Sequence, residues 1–291
     1  MPVPHFVVEG VSVPALIYGT AWKEERTKAL VLQALEAGFR GIDTANQRRH
    51  YFEAAVGEAV QEAVREGRVT RDAVFLQTKF TYVTSQDHRL PYDPRAAPAK
   101  QVEQSIESSL AHLGVEQLDA YLLHGPSVRH GVSDLDWQTW RAMEDAQRAG
   151  KTRLLGVSNV TAAQLAELWE KASVRPKLVQ NRTFVWPQAD GAVRRFCREH
   201  GLAYEGFSLL TAIPRVVQDP RVREVARRVG KTPEQVVLRH CLEAGMVLLT
   251  GTTSRRHMEE DLAIVDFELS AEDAALLRAL TGGPQDLSPN R

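Results

Sequence analysis

Short apolar segments alternate with amphipathic, helix-like segments along almost the whole chain of 291 residues. Eight of the apolar segments have the length of a strand and are apolar enough to be covered on both faces. Each is followed by a segment with apolar residues at helical spacing. The repeated strand–helix unit predicts a parallel sheet. The predicted strands are 15–19, 41–45, 74–80, 118–125, 153–158, 176–181, 202–208 and 247–253.

Eight such units in a chain of this length favour a closed (β/α)8 TIM barrel over an open doubly wound sheet. An open dinucleotide-binding sheet usually carries a Gly-x-Gly-x-x-Gly turn after its first strand, and the sequence there is Gly19-Thr20-Ala21-Trp22. Residues 5–8 and 11–13 flank Glu9-Gly10 and predict a short β-hairpin at the bottom of the barrel. Because no Ser/Gly-rich or Pro-rich linker divides the chain, we predict a single barrel domain over residues 1–291.

Charge and cysteine content exclude several classes of function. The 36 Lys and Arg residues almost balance the 37 Asp and Glu residues, which disfavours binding to nucleic acid or to anionic lipid. Cys197 and Cys241 stand in no zinc-binding or disulfide-exchange motif. No stretch reaches the roughly 18 apolar residues that a membrane span needs. We therefore expect a reduced, cytoplasmic protein with no metal site, and the sequence leaves its oligomeric state open.

Polar residues stand at the predicted C-terminal ends of four strands: Asp43, Lys79, His124 and the pair Ser158-Asn159. Taken singly, each has a structural explanation as a turn cap, a solvated lysine or a hydrogen-bonded core histidine. The C-terminal ends of barrel strands meet at one rim, however, and the active sites of such barrels lie there. Their joint placement favours a functional site.

Five runs of residues, in chain order, resemble successive motifs of the aldo-keto reductase superfamily: 38–45, 76–79, 118–126, 156–159 and 179–181. The resemblance extends from about residue 11 to residue 280. It implies an NAD(P)H-dependent carbonyl reductase acting on a small-molecule aldehyde or ketone. The catalytic Asp, Tyr, Lys and His of the family then correspond to Asp43, Tyr51, Lys79 and His124.

In the family's mechanism the phenol is the general acid. Tyr51 would donate a proton to the developing alkoxide while hydride leaves the nicotinamide. Lys79 would lower the pKa of that phenol, and Asp43 would hold Lys79 charged and in place. His124 would donate a hydrogen bond to the carbonyl oxygen.

The position of the tyrosine departs from the family's usual spacing. Counting from Asp43, that spacing leads to Arg48, so we predict an insertion of about two residues that carries the phenol to Tyr51. If Arg48 occupied the site instead, the chain would lack a proton donor. It would then bind cofactor without reducing a substrate.

The resemblance also implies where a nicotinamide cofactor binds. Ser158, Asn159 and Gln180 would hold the carboxamide, Phe207 would stack on the nicotinamide ring in place of the usual tyrosine, and Thr20 and Asp43 would lie near its ribose. The phosphates and the adenine would meet the loops after the last two strands. These positions are Ser208, Leu209, Thr250, Gly251, Thr252, Thr253, Ser254, His257, Glu260 and Asp261.

The choice of cofactor depends on cations near the 2′-phosphate of NADPH. The lysine and arginine that many relatives use there correspond to Gly251 and His257, which removes both charges. Arg255 and Arg256 stand close by as replacements. We expect NADPH, with NADH as the alternative.

Aromatic residues follow three strand ends and predict the walls of a substrate pocket: Trp22, Tyr82 and Trp186. Gly125 stands where many relatives have a tryptophan, and only a short segment follows Leu280. Both features predict an open pocket.

Two other functions remain open from the sequence. A Schiff-base lyase on the same barrel would use Lys79 as its nucleophilic amine. That interpretation gives no role to Ser158, Asn159 and Gln180. A catalytically weak, cofactor-binding regulatory protein is the second alternative, and it requires that Tyr51 be misplaced.

Overall fold

The computed structural model describes residues 3–183 and 190–281. Its strands are β1 (His5–Val8), β2 (Val11–Pro14), β3 (Leu16–Gly19), β4 (Gly41–Asp43), β5 (Phe75–Phe80), β6 (Leu118–Leu123), β7 (Thr152–Ser158), β8 (Leu178–Arg182), β9 (Ala203–Phe207) and β10 (Val247–Thr250). Strands β3 to β10 run parallel in chain order and close into a barrel, because β10 is hydrogen-bonded to both β9 and β3. The predicted (β/α)8 barrel and its eight strands are confirmed.

Helices surround this barrel. They are α1 (Thr27–Ala37), α2 (Glu53–Arg65), α3 (Pro98–Leu113), α4 (Asp134–Arg148), α5 (Ala162–Lys171), α6 (Gly191–His200), α7 (Pro214–Val217), α8 (Pro220–Val229), α9 (Pro233–Glu243), α10 (Arg255–Leu262) and α11 (Ala271–Thr281). Sequence analysis did not predict α7, α8 and α11. Within the described ranges, no helix combines the length and the apolar character that crossing a membrane demands.

Helix ends follow the local chemistry of the sequence. Thr232 caps α9 by accepting a hydrogen bond from the backbone N–H of Gln235, and the Gln235 side chain accepts from the Thr232 backbone N–H. Pro233 occupies the first helical position, where no N–H is needed. Helix α1 ends at Gly38, whose φ of +120° suits only glycine. These short-range signals set where each helix begins and ends.

The predicted hairpin closes the bottom of the barrel. Strands β1 and β2 pair antiparallel. Val8, Val11 and Val13 are buried, and they pack in one cluster with Phe75 and Val247 from the barrel strands. This apolar floor excludes water from the lower barrel.

Side chains alternate along the barrel strands between the helices and the interior. On β5, Leu76 packs in the outer apolar core, whereas Phe75 packs against the floor. The next interior positions of β5 are polar, Gln77 and then Lys79, and both are fully buried. The interior therefore changes from apolar to polar toward the C-terminal rim, and that change positions the site.

Gly57 fixes the approach of α2 to α3. A Cβ atom on Gly57 would lie 1.9 Å from the carbonyl oxygen of His112 and 2.7 Å from the Cα of Leu113. Replacing a helical glycine by alanine normally stabilises a protein by about 1 kcal/mol. We expect Gly57→Ala instead to lower the free energy of unfolding by about 1–3 kcal/mol, because the two backbones must separate. Urea denaturation measures this change.

The control is Glu58→Ala, on the exposed face of the same helix. We expect that variant to unfold at nearly the wild-type urea concentration. A Gly57→Ala protein as stable as the control would show that α2 and α3 are not held at the described distance.

Candidate active site

A buried ion pair lies at the centre of the rim. Asp43 ends β4, and Lys79 lies on the adjacent strand β5 with a side chain that is 0% exposed. The Lys79 Nζ donates to Asp43 Oδ1 at 2.5 Å and to the carbonyl oxygen of Thr44 at 2.8 Å. In a closed interior an ammonium group is retained only when it is paired and hydrogen-bonded in this way.

The loop between β4 and α2 brings Tyr51 to this ion pair. Its compact turn is held by the backbone N–H groups of His50 and Tyr51, which both donate to the carbonyl oxygen of Gln47. The Tyr51 ring lies 5.9 Å from the ring of His124, centroid to centroid. The Nζ of Lys79 lies 5.4 Å from the centre of the Tyr51 ring. Asp43, Tyr51, Lys79 and His124 are thus brought together.

Arg48, the other residue that the sequence spacing allowed, points elsewhere. Its guanidinium group donates to Glu25 Oε1 at 3.0 Å and lies 4.0 Å above the centre of the Phe52 ring. Neither partner belongs to the group around Lys79. The geometry therefore favours Tyr51 at the site, as the predicted insertion requires.

The protonation of Tyr51 differs from the expectation. Burial, and secondarily the charge of Asp43, raises the pKa of the Tyr51 phenol well above its ordinary value. The expected net lowering of this pKa is not found, because burial outweighs any stabilisation of a phenolate by the Lys79 ammonium group, which is already paired with Asp43. The phenol therefore keeps its proton at neutral pH, in the form that a proton donor needs.

His124 is held as a neutral imidazole. Burial, together with the positive charges of Lys79 and His50, lowers the pKa of His124 to about 3. Its Nδ1 lies 2.6 Å from the hydroxyl oxygen of Thr81. When the threonine hydroxyl donates to Nδ1, the ring carries its proton on Nε2.

The residues predicted to hold a carboxamide are connected to this group. Gln180 Nε2 donates to Asp43 Oδ1 at 2.9 Å, and the Ser158 hydroxyl donates to the Gln180 carbonyl oxygen at 2.6 Å. The Asn159 Nδ2 donates to the carbonyl oxygen of His124 at 2.8 Å. Thr20 Oγ1 donates to the carbonyl oxygen of Asp43 at 2.9 Å. Hydrogen bonds therefore connect the predicted carboxamide-binding residues to Asp43 and to the backbone of His124.

Sequence analysis missed two interior residues of this network, Gln77 and Glu205. The side-chain amide of Gln77 donates to Asp43 Oδ1 and to Glu205 Oε2, each at 2.8 Å. Both residues are 0% exposed. The available signal in each case was a polar residue within a buried strand. Gln77 stands two positions before Lys79, and Glu205 stands two positions before Phe207, so each shares a face of its strand with that residue.

A cavity of about 420 Å³ lies beside the ends of β9 and β10. Eight of the residues predicted to bind the phosphates and the adenine line it: Ser208, Leu209, Thr250, Gly251, Thr252, His257, Glu260 and Asp261. Ser254 lies next to the cavity and caps α10, while Thr253 is exposed beside it. Phe207, at the end of β9, is half-buried. Hydroxyl and backbone N–H groups of this kind suit a phosphate.

Three cations near this cavity have different surroundings. Arg256 lines it and lies 3.4 Å from Glu260, whereas Arg255 is paired with Glu259 and Glu36 outside it. The third is Lys23, which sequence analysis did not assign. Its buried Nζ donates to the carbonyl oxygen of Gly251 and lies 3.6 Å from where a Cβ of residue 251 would stand.

Lys23 therefore supplies a positive charge beside the position where many relatives carry their lysine. Burial, and then the charge of Arg26, lowers the pKa of Lys23. The sequence signal was only a lysine directly after Trp22 in the loop that follows the first barrel strand.

A second cavity, of about 580 Å³, opens over Tyr51 and His124. Trp22, Tyr82 and Gly125 line it, as predicted. Trp22 is 67% exposed, and its ring lies tilted by 38° against that of His50, with 3.9 Å between the ring centroids. The hydroxyl of Tyr82 donates to Asp136 Oδ1 at 2.9 Å. Trp186, the remaining predicted wall residue, lies outside the described residues.

A closed parallel barrel whose rim carries an ion pair, a phenol and an imidazole, beside a cavity with hydroxyl and cationic side chains, has the arrangement of a barrel oxidoreductase. A model of the aldo/keto reductase family matches residues 15–212. The 7-acetyl-epi-neemfruitin B aldo-keto reductase of Melia azedarach is 31% identical over 285 residues, which are 91% of this chain and 84% of that protein. The NADPH-dependent codeinone reductase 1-4 of Papaver somniferum is 32% identical over 288 residues, 91% of this chain and 85% of that protein.

Solved structures agree with these matches. The aldo/keto reductase from Brucella melitensis superposes with a TM-score of 0.80 at 28% identity, over 96% of this chain and 99% of that one. An aldo-keto reductase of the silkworm Bombyx mori, complexed with NADPH, gives a TM-score of 0.82 at 27% identity, over 96% and 88%. The chain belongs to the aldo/keto reductase family, which confirms the family predicted from the five sequence runs.

The ion pair makes a testable contribution to stability. Asp43→Ala leaves the Lys79 ammonium group buried without its counter-ion, and we expect it to lower the free energy of unfolding by about 3–5 kcal/mol. The double variant Asp43→Ala with Lys79→Met removes the unpaired charge and should recover most of that loss. Urea denaturation of both variants measures the difference.

A double variant no more stable than Asp43→Ala alone would contradict this account. It would mean that the cost comes from the lost carboxylate hydrogen bonds to Gln77 and Gln180 and not from the stranded charge.

Proposed function

We propose that the chain is an NADPH-dependent carbonyl reductase in which Tyr51 is the general acid. The observation that carries the proposal is the placement of the Tyr51 ring against both Lys79 and His124. The names of the relatives support the cofactor and the reaction, since one is an NADPH-dependent codeinone reductase and a silkworm neighbour is complexed with NADPH.

The residues present fit a nicotinamide cofactor. Both hydrogens of the Gln180 amide nitrogen are used, toward Asp43 Oδ1 and Glu205 Oε2, so its Oε1 remains as an acceptor. No described residue donates to that oxygen. A carboxamide offers the matching N–H donors. The cavity beyond β9 and β10 supplies hydroxyl groups and two cations, Arg256 and Lys23, for the phosphates.

Reduction then requires a proton donor and an oxygen-binding group at the substrate. When bound, NADPH supplies the hydride that reaches the carbonyl carbon. Tyr51 gives its phenolic proton to the substrate oxygen, so that an alcohol and a phenolate result. His124 donates from Nε2 to the same oxygen and stabilises its developing charge. Lys79 stabilises the phenolate until solvent returns the proton.

The alternatives account for fewer of these observations. A Schiff-base lyase needs a neutral, accessible amine, and Lys79 is 0% exposed and lies 2.5 Å from Asp43, which favours the ammonium form. A regulatory protein without turnover needs no phenol beside the imidazole. We also propose that the barrel is one domain and that the protein is cytoplasmic. The two described cysteines, Cys197 and Cys241, are free and buried, as in a reduced protein.

The general acid is tested by Tyr51→Phe. We expect turnover of an aldehyde such as 4-nitrobenzaldehyde to fall by roughly 10²–10⁴-fold, because the proton donor is lost. NADPH binding, followed by fluorescence, should persist. The matched control is Tyr92→Phe, which removes a buried phenol whose hydroxyl donates to the Thr81 carbonyl oxygen. Retained turnover in Tyr51→Phe would dismiss the assignment.

Cofactor choice is tested by two neighbouring arginines. Arg256→Ala removes the guanidinium group that lines the cavity, and we expect the KM for NADPH to rise about tenfold or more while that for NADH changes little. Arg255→Ala, whose partners lie outside the cavity, should leave both values unchanged. Equal effects of Arg256→Ala on both cofactors, or a wild-type preference for NADH, would refute the NADPH assignment.

A further inference from the structure

Glu205 is a buried carboxyl group that the proposed mechanism does not use. It lies in the middle of β9 inside the barrel and is 0% exposed. Its Oε2 accepts from Gln77 Nε2 and from Gln180 Nε2, both at 2.8 Å. Its Oε1 is also buried, and no described residue donates to it. A buried oxygen without a partner is costly, so this atom requires an explanation.

Burial, more than the surrounding charges, disfavours the ionised form of Glu205. The charged groups that act on it are Asp43 on β4 and Lys79 on β5, and these two already neutralise each other. The neighbouring strand β8 contributes the uncharged Gln180, and β10 contributes Val247 and Leu249. Burial, opposed by the two amide hydrogen bonds, raises the pKa of Glu205 to about 7, and the charge of Asp43 adds to the rise.

The hydrogen-bond pattern identifies where the proton belongs. Gln77 Oε1, like Glu205 Oε1, is buried with no donor among the described residues. A neutral carboxyl group and a primary amide pair through two hydrogen bonds, N–H to one carboxyl oxygen and O–H to the amide oxygen. The first of these bonds joins Gln77 Nε2 to Glu205 Oε2. A proton on Glu205 Oε1 would supply the second bond and would satisfy both oxygens, which are otherwise buried without a partner.

This pairing also determines the orientation of Gln180. Its amide nitrogen has two hydrogens, and they point to Asp43 Oδ1 at 2.9 Å and to Glu205 Oε2 at 2.8 Å. With both donors engaged, the amide cannot turn its nitrogen toward the cofactor site without breaking two buried bonds. Its Oε1 is therefore held as the acceptor for a carboxamide N–H.

We propose that Glu205 is a positioning residue for the nicotinamide ring: its neutral carboxyl group, paired with Gln77, locks the amide of Gln180 in the accepting orientation. The inference rests on the proposed function, because it concerns the same cofactor site. Ionisation of Glu205 places a second negative charge beside Asp43. Ionisation removes the O–H that would pair with Gln77, and repulsion between the two carboxylates acts to separate the oxygens that Gln180 bridges. The added charge also makes the Tyr51 phenol a poorer acid, so we expect both NADPH binding and reduction to decline above pH 7.

The test compares Glu205→Gln with Glu205→Leu. Glutamine reproduces the neutral pairing, since its carbonyl oxygen accepts from both amides and its nitrogen donates to Gln77 Oε1. We expect Glu205→Gln to bind NADPH with a Kd close to that of the wild type at pH 6. We expect Glu205→Leu to bind NADPH about tenfold more weakly than Glu205→Gln at every pH, because Gln180 loses a buried acceptor.

The wild type should lose affinity relative to Glu205→Gln as the pH rises through about 7. The ratio of the two Kd values cancels the effect of the titration of the NADPH phosphate, which is common to both proteins. The matched control is Asp190→Asn, a half-buried carboxyl group whose pKa is also raised and which accepts from Asn181 and Tyr204 away from the nicotinamide site. The Kd of this variant for NADPH should change with pH as that of the wild type does.

Infrared difference spectroscopy of the free protein adds a measurement that needs neither cofactor nor turnover. At pH 6 the wild type should show a protonated-carboxyl C=O band that is absent from Glu205→Gln and that disappears above pH 7. The absence of such a band overturns the neutral form of Glu205. A Glu205→Leu protein that binds NADPH like the wild type overturns its positioning role. If Glu205→Leu does not fold, the pH-dependent ratio and the infrared band decide the question.

These outcomes separate this inference from the proposed function. A wild type that binds NADPH with the expected pH ratio but reduces no carbonyl compound removes the reductase assignment and leaves the role of Glu205 standing. An active reductase in which all Glu205 variants bind alike removes only the positioning role.

Discussion

The buried ion pair between Asp43 and Lys79 is the interaction on which the rest of the site depends. An ammonium group with no exposed surface stays charged only beside a fixed carboxylate, and adjacent strands hold the two side chains 2.5 Å apart. The same Asp43 oxygen also accepts from the amides of Gln77 and Gln180. Movement of this carboxylate would therefore disturb both the ammonium group beside Tyr51, the proposed proton donor, and the amide of Gln180, which we propose binds the cofactor.

The alternation of side chains along parallel strands explains why a polar cluster can exist inside the barrel. Interior positions near the hairpin are apolar, as at Phe75 and Val247, and they form a floor that excludes water. The next interior layer contains Gln77, Gln180 and Glu205, and above it lies Lys79. Polar groups thus accumulate toward the open rim, where cofactor and substrate arrive. The low dielectric below them strengthens each hydrogen bond.

The fold could be predicted because its signals are short-range: eight apolar runs, helical periodicity and caps such as Thr232. The site could be predicted only in part. Spacing alone allowed Arg48 or Tyr51, and the choice depends on a turn closed through Gln47. Lys23 and Glu205 were missed because their partners, Gly251 and Gln77, lie more than a hundred residues away in sequence. The pKa of Tyr51 depends on burial, which the sequence does not specify.

The polar layer inside the barrel also affects whether the phenol of Tyr51 keeps its proton. Tyr51 is surrounded by groups that disfavour a negative charge, namely a buried environment and the carboxylate of Asp43. An ionised Glu205 would raise the pKa of Tyr51 further, whereas a neutral Glu205 adds no such charge. Reduction of a carbonyl group consumes a proton at the substrate oxygen, whereas oxidation of an alcohol requires a base there. In the proposed mechanism, a phenol that retains its proton until charge develops on the substrate therefore favours reduction. The nearby Lys79 ammonium group stabilises the phenolate that this proton transfer leaves behind.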